Sequence, residues 1–320
     1  MKPITRRAFL ATSSSCAGHL ALAAFATPAL RRLQWTPVRG QVVAAEPFGR
    51  LEQVAEGVWA LISTPLSGDR TTLSNGGLIA GRNGVLAIEG FNQPEGARWL
   101  AERSKVLTGR WPTHVVVTHY HADHANGVQG YLAGTEHPVV HSTAETRDLV
   151  IARNLPAVAE RTAALHDAQL LSPTDLTTLD LGGRRVTVRP AAGHTPSDVS
   201  VEIADPSIMF CGDLVWNAMF PNYVDAMPTV LARSARALRR EKGTHYVPGH
   251  GALATEADFD RYLAMLDEVE HAAREAHAKG IDAATAGAAY ALPTSLGEWT
   301  LFNKVFFERA FGAWYKELGG

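Results

Sequence analysis

The ten residues Thr118-His119-Tyr120-His121-Ala122-Asp123-His124-Ala125-Asn126-Gly127 constrain this chain more than any other stretch. Three imidazoles and a carboxylate crowd into positions 119–124 with almost nothing apolar between them. The run Thr113-His114-Val115-Val116-Val117 just before them is rich in β-branched residues and reads as a buried strand. His119 and His121 therefore leave its end on one side of an extended segment. Asp123 and His124 follow where residues 122–132 could open a helix, and a turn there swings both around the same point. Imidazole and carboxylate are the ligands that a borderline cation such as Zn²⁺ takes, and a catalytic site keeps one position open. Taken alone, the stretch predicts a single bound metal.

The rest of the chain is ordinary globular material, 320 residues at 46% hydrophobic and 19% charged, enough for one large core or two modest ones. Thirty basic and 32 acidic residues give a formal charge of -2, so no electrostatic footprint for nucleic acid or an acidic membrane is present. Past the N-terminus there is no apolar run of about twenty residues, and no internal membrane span is expected. Residues 1–26 carry Arg6-Arg7 ahead of an apolar, small-residue run ending at Ala24-Phe25-Ala26. This resembles a twin-arginine signal, which exports proteins already folded, to the periplasm or beyond. Residues 27–46 have no clear period and read as a leader. Cys16 falls within the signal, leaving Cys211 alone in the mature chain and no intramolecular disulfide to expect.

From Phe48 onward the chain reads as short strands broken by turns. Residues 51–63 suggest a hairpin around Glu56-Gly57, and residues 78–88 another around Gly81-Arg82-Asn83-Gly84. The loop at 65–75 between them reads equally as a flap over the site or as plain solvated loop. Residues 94–107 have helical spacing. After the histidine stretch come a strand at 138–141, helices at 143–153 and 156–170, and a hairpin at 176–189. That hairpin delivers Ala192-Gly193-His194-Thr195-Pro196. Strands at 199–203 and 208–211 then lead to Gly212-Asp213-Leu214-Val215, where on local grounds Asp213 reads as a turn cap. The last signal is Tyr246-Val247-Pro248-Gly249-His250-Gly251. Helical patterns at 226–241, 255–279 (opened by the capping box Thr255-Glu256-Ala257-Asp258), 283–291 and 298–318 complete the chain.

The order His-x-His-x-Asp-His, Gly-His-Thr, Gly-Asp, Pro-Gly-His-Gly resembles the metallo-β-lactamase superfamily over about residues 48–254. The resemblance implies an α/β fold, a four-layer αβ/βα sandwich of two mixed sheets flanked by helices. A domain at 47–254 is thereby expected, followed by a helical extension at 255–320. It implies two Zn²⁺ per chain. His119, His121 and His194 would hold the first, Asp123, His124 and His250 the second, and Asp213 would bridge both. An aspartate at the bridging position resembles glyoxalase II, lactonases and related hydrolases more than dedicated β-lactamases. Cys211, two residues away, reads as a small buried hydrophobe.

The implied chemistry is hydrolysis by a hydroxide shared between two cations, with Asp123 orienting it and no serine or cysteine nucleophile required. The expected substrate is a small ester, lactone, thioester or amide, extending at most to weak β-lactamase activity. Trp216, Asn217 and Tyr223 follow Asp213 closely and are candidates to line the pocket, with Tyr223 a candidate oxyanion donor. Phe302, Phe306, Phe307, Phe311 and Trp314 recur at helical spacing and read as core rather than a binding stripe. The tail resembles that of exported members such as the quinoprotein relay system zinc hydrolases. Two rivals stand beside the hydrolase: a mononuclear iron persulfide dioxygenase, which needs only three protein ligands, and a non-catalytic metal-holding component of a periplasmic relay. The oligomeric state is open.

Overall fold

The computed structural model describes residues 40–154, 163–240 and 243–319. The signal expected at 1–26, the leader to residue 39 and the first turns of the helix expected from 156 lie outside them. The strands are β1 (Gln41–Glu46), β2 (Gly49–Ala55), β3 (Val58–Ser63), β4 (Gly76–Ala80), β5 (Val85–Ile88), β6 (His114–Val116), β7 (Val139–Thr143), β8 (Gln169–Leu171), β9 (Thr177–Asp180), β10 (Arg185–Ala191), β11 (Asp198–Ile203), β12 (Ile208–Asn217) and β13 (His245–Gly251). The α-helices are α1 (Pro94–Thr108), α2 (Ala122–Ala125), α3 (Ala144–Leu149), α4 (Ala163–His166), α5 (Pro228–Leu238), α6 (Glu256–Ala278), α7 (Ala283–Ala289) and α8 (Val305–Leu318).

Both sheets are mixed, as the resemblance implies. Eight strands run in chain order β1 to β8, antiparallel as far as β5 and parallel from β5 to β8. The second sheet is ordered β13-β12-β11-β10-β9, with only β12 and β13 parallel. Because side chains alternate along a strand, each central strand feeds two layers. Val58, Ala60 and Ile62 of β3 join Val186, Val188, Val201 and Phe210 of the second sheet in an inter-sheet core. Trp59 and Leu61 between them face α1 instead, with Ala97 and Leu100. On the far side, Met209 and Cys211 of β12 pack with Phe259, Tyr262, Phe311 and Trp314 of the C-terminal helices. Three apolar layers between four structural ones give the αβ/βα sandwich.

Local chemistry sets the element ends. Pro94 opens α1 and Gly109, at φ 76°, closes it. Thr255 and Asp258 form the capping box of α6 through both reciprocal hydrogen bonds. Several expectations shift. Residues 41–46, read as leader, form β1, because the edge of β2 offers a ladder that the chain's own weak period does not advertise. The helix expected through residue 170 ends at His166, and Gln169–Leu171 pairs with β7. Helix α8 starts at Val305, seven residues beyond the expected 298, because Thr300 is held by β-type bonds: its N–H donates to Ala218 O (2.9 Å) and its carbonyl accepts from Phe220 N–H (2.9 Å). Among the described residues no helix is long and apolar enough to cross a membrane.

Candidate metal centre

The carboxyl end of β6 delivers the histidine stretch to the rim where the two sheets meet. His119 Nε2 lies 3.2 Å from His121 Nδ1, and His194 Nε2 lies 2.9 Å from that same atom. These three nitrogens belong to side chains that are buried or nearly so. Their spacing is close to the roughly 3.3 Å edge of a tetrahedral site with metal-nitrogen bonds of about 2.0 Å. His194 comes from the loop after β10, where the Asp198 carboxylate accepts from the N–H groups of His194 (3.1 Å) and Thr195 (2.9 Å) and fixes the turn.

Asp213 does not cap a turn; it sits within β12, 3% exposed. Its Oδ2 is 3.1 Å from His194 Nε2 and 3.8 Å from His119 Nε2. Its Oδ1 is 3.1 Å from His124 Nε2 and 3.4 Å from His250 Nε2. Asp123 Oδ2 completes the second set, 3.3 Å from His250 Nε2 and 3.6 Å from His124 Nε2. Two donor groups result, His119-His121-His194-Asp213 and Asp123-His124-His250, each with its ligand atoms within 4.8 Å of one another: the two sets that the resemblance implies, not the single one that the first stretch predicts alone. His124 Nε2 and Asp213 Oδ1 are buried and face each other at 3.1 Å, crowded by the other imidazole and carboxylate atoms of the two sets rather than met by separate hydrogen-bond partners. Buried polar atoms gathered in this way are costly unless something neutralises them, so the donor set fits a pair of cations.

A second ring orients the ligands, and most of it escaped sequence reading. Glu89, at the end of β5 with φ 78°, puts Oε1 3.1 Å from His124 Nδ1 and accepts from Thr118 Oγ1 at 2.6 Å. A non-glycine residue in that left-handed region is strained, and such strain concentrates at functional sites. Thr118 Oγ1 is in turn 3.0 Å from His119 Nδ1. Asp225 Oδ2 lies 3.1 Å from His121 Nε2, accepts from Tyr120 Oη, and its Oδ1 accepts from Arg153 Nη1 at 3.0 Å. The Trp216 ring stacks on His250 at 3.9 Å between centroids. A Cβ on Gly249 would lie 1.9 Å from Asp213 Oδ1, so only glycine lets that carboxylate pass. A charged residue closing an apolar strand was the available signal for Glu89; nothing local announced Asp225.

Burial pushes the His119 imidazole well down, helped by its histidine neighbours. Burial also pushes His124 and His250 down, but the carboxylates around them outweigh it: His124 ends well above its ordinary value and His250 at about 9. Asp123 and Asp213 are penalised by burial, yet the surrounding imidazoles hold both carboxyls below their usual range. The protein alone thus balances the site with protons where a divalent cation would take their place.

Of the three substrate candidates only Trp216 reaches the cavity beside the donors. Asn217 is a latch: its amide donates to the carbonyls of Ala252 and Leu253 (both 3.1 Å) and accepts from Arg261 (3.2 Å). Tyr223, 2% exposed, packs in the apolar layer with Phe220 and the C-terminal helices, and burial pushes its phenol well up. It is core, not an oxyanion donor. The tail supplies what these two do not. Phe302 and Phe306, expected to be core, line the cavity, Phe306 while also packing in the core. The 65–75 loop is tied down over the site: Ser74 Oγ donates to Asp123 O at 2.6 Å and Asn75 Nδ2 to Gly251 O at 2.8 Å.

Residues 71–255 match the pattern of the Metallo-beta-lactamase superfamily, a superfamily of hydrolase enzymes, and the chain belongs to it. The hydroxyacylglutathione hydrolase of Roseobacter denitrificans is 30% identical over 201 residues, 62% of this chain and 68% of that protein. Its counterpart in Rhodopseudomonas palustris is 25% identical over 214 residues, 66% and 74%. In structure, a metallo-beta-lactamase from Pontibacter korlensis is similar with a TM-score of 0.56 at 20% identity, over 68% of this chain and 98% of that one. A stereoselective inverting sec-alkylsulfatase from Pseudomonas sp. reaches 0.65 at 15% identity over 84% of this chain, which spans only 50% of the sulfatase. Both structural likenesses bear on the fold.

Proposed function

We propose that the protein is a dinuclear zinc hydrolase acting on a small ester, lactone, thioester or amide. One observation carries this reading: Asp213 turns one carboxylate oxygen to each of two imidazole sets. On this reading His119, His121 and His194 hold the first Zn²⁺, Asp123, His124 and His250 the second, and Asp213 both. When bound, such a pair polarises the scissile carbonyl and supplies a hydroxide near neutral pH, lowering the pKa of water from about 15.7 towards about 7. The remaining work belongs to the chain. Asp123, 26% exposed and braced by His250, lines the cavity and orients the attacking oxygen. Asp225 and Glu89 hold the imidazole planes of His121 and His124. Leu73, Trp216 and Phe302 give the cavity, of about 450 Å³, its apolar wall.

The test is metal content of the purified protein together with a hydrolysis panel of β-lactams, lactones, hydroxyacylglutathione and other thioesters, and secondary alkyl sulfates. The expected result is two zincs per chain and turnover of at least one carbonyl substrate. One iron per chain would favour the persulfide dioxygenase, against which the second set of Asp123, His124 and His250 already argues. Two zincs with no turnover of any substrate would favour the metal-holding relay component. Export rests on Arg6-Arg7 and the small-residue run that follows. Replacing both arginines by lysine should leave the protein in the cytoplasm, and periplasmic protein in that variant would refute the route.

A further inference from the structure

The cavity in front of the donors is asymmetric in character. Leu73, Trp216, Phe302 and Phe306 give it apolar walls. Among its ionisable lining groups, His121, Asp123, Asp213 and His250 belong to the donor sets, while Asp225 accepts from Tyr120 and pairs with Arg153 at 3.0 Å. Arg70 remains, and among the described residues no carboxylate lies within ion-pair reach of its guanidinium. Its position is not accidental to a loose loop. Asn92 Nδ2 donates to the Arg70 carbonyl at 2.6 Å, Gln93 N–H to Thr71 O at 3.0 Å, and Ser74 anchors the same loop to Asp123. The backbone is therefore pinned and the cation is carried at the cavity's edge. A fork of guanidinium donors at the edge of an apolar chamber suits a ligand with both characters.

We propose that the substrate is an amphipathic anion: an ester or thioester joining an apolar group, received by Phe302, Phe306 and Trp216, to a carboxylate or similar oxyanion received by Arg70. This rests on the hydrolase reading and narrows it. Leu73 and Trp216 lie within the part of the chain that matches the superfamily, but Phe302 and Phe306 lie beyond it, so the tail contributes to the wall on its own account.

Binding and turnover together test it on the zinc-loaded full chain. Calorimetry with 4-phenylbutyrate and its uncharged amide should give a carboxylate-to-amide affinity ratio that falls at least about threefold in Arg70→Ala, the size of an exposed charge pair. Arg70→Lys should keep part of the ratio, and Arg98→Ala on the remote face of α1 all of it. Phe302→Ala should weaken both ligands. An Arg70→Ala ratio equal to the wild type, or Phe302→Ala affinities unchanged, would overturn the assignment. The kinetic arm compares mono-(4-nitrophenyl) glutarate with 4-nitrophenyl butyrate, and the kcat/KM ratio should fall in Arg70→Ala through KM. If neither ester is turned over while the binding ratio still responds to Arg70, hydrolysis fails and the amphipathic site stands. If both are turned over and neither ratio responds, the reverse holds.

Discussion

At the scale of single residues, the site is held by carboxylates that contact histidines from behind. Asp225 is the clearest case, because it meets His121 Nε2 while His121 Nδ1 faces the donor set. Removing such a partner costs metal affinity about 10- to 100-fold. Asp225→Ala should therefore weaken zinc retention by that order in chelator competition, and Asp225→Asn less so; unchanged retention in both would show that Tyr120 and Arg153 suffice to hold the ring. A separate pair, His114 Nδ1 and His141 Nε2 at 3.1 Å, lies between β6 and β7. Burial, followed by the neighbouring His114, pulls the His141 imidazole down to about 4. The unfolded chain takes up that proton near pH 6.5 and the folded one does not until about 4. Stability is thus complete above about 6.5 and is lost as pH falls towards 4, at no more than about 1.4 kcal/mol per pH unit. Denaturant unfolding of His141→Gln across that range should give a shallower acid limb than the wild type. Neither contact was legible in the sequence, since each joins residues whose proximity depends on strand pairing or a distant loop.

At the scale of elements, β12 decides more than any other strand. It carries Asp213 in its middle, turns Phe210 to one layer and Cys211 to the other, and pairs Trp216 with His250. Local rules read Gly212-Asp213 as a turn cap because glycine before aspartate usually is one. The strand continues instead, since β13 runs beside it in parallel and Gly212 takes φ 53° to let Thr118 approach. The same closeness makes Gly249 a sharp test. Gly249→Ala brings a methyl onto the Asp213 carboxylate, so zinc content should drop by half or more while far-UV circular dichroism stays native. Full loading of that variant would mean that β13 yields more readily than its packing implies. Pattern reading did better where capping chemistry is local: the Thr255 box and the Pro94 start needed nothing from the rest of the fold.

At the scale of the whole molecule, the C-terminal helices are one flank of the sandwich and not an appendage. Phe259, Tyr262, Met265, Phe311 and Trp314 bury themselves against the outer face of the second sheet. At about 1.5–3 kcal/mol for each large apolar side chain, these five alone are worth on the order of 10 kcal/mol, comparable to the whole net stability of a domain. A chain ending at residue 254 should accordingly be insoluble or lack near-UV circular dichroism, even though it keeps every candidate ligand. A soluble, zinc-loaded truncation would mean that the first three layers stand alone.

The histidine stretch with which the chain is best entered was sufficient, with three later motifs, to determine the donor types and their order, and the resemblance those motifs carry implied the two mixed sheets. Donor chemistry and the individual strands and helices follow from coordination preferences and from periods of two and 3.6 residues, which are local. Which carboxylates stand behind the imidazoles, why Tyr223 and Asn217 face away, and how Arg70 and Phe302 come to share one cavity were decided only in three dimensions. Those answers depend on which atoms of distant segments converge within a few ångströms, and that distance is set by the packing of layers rather than by neighbours along the chain.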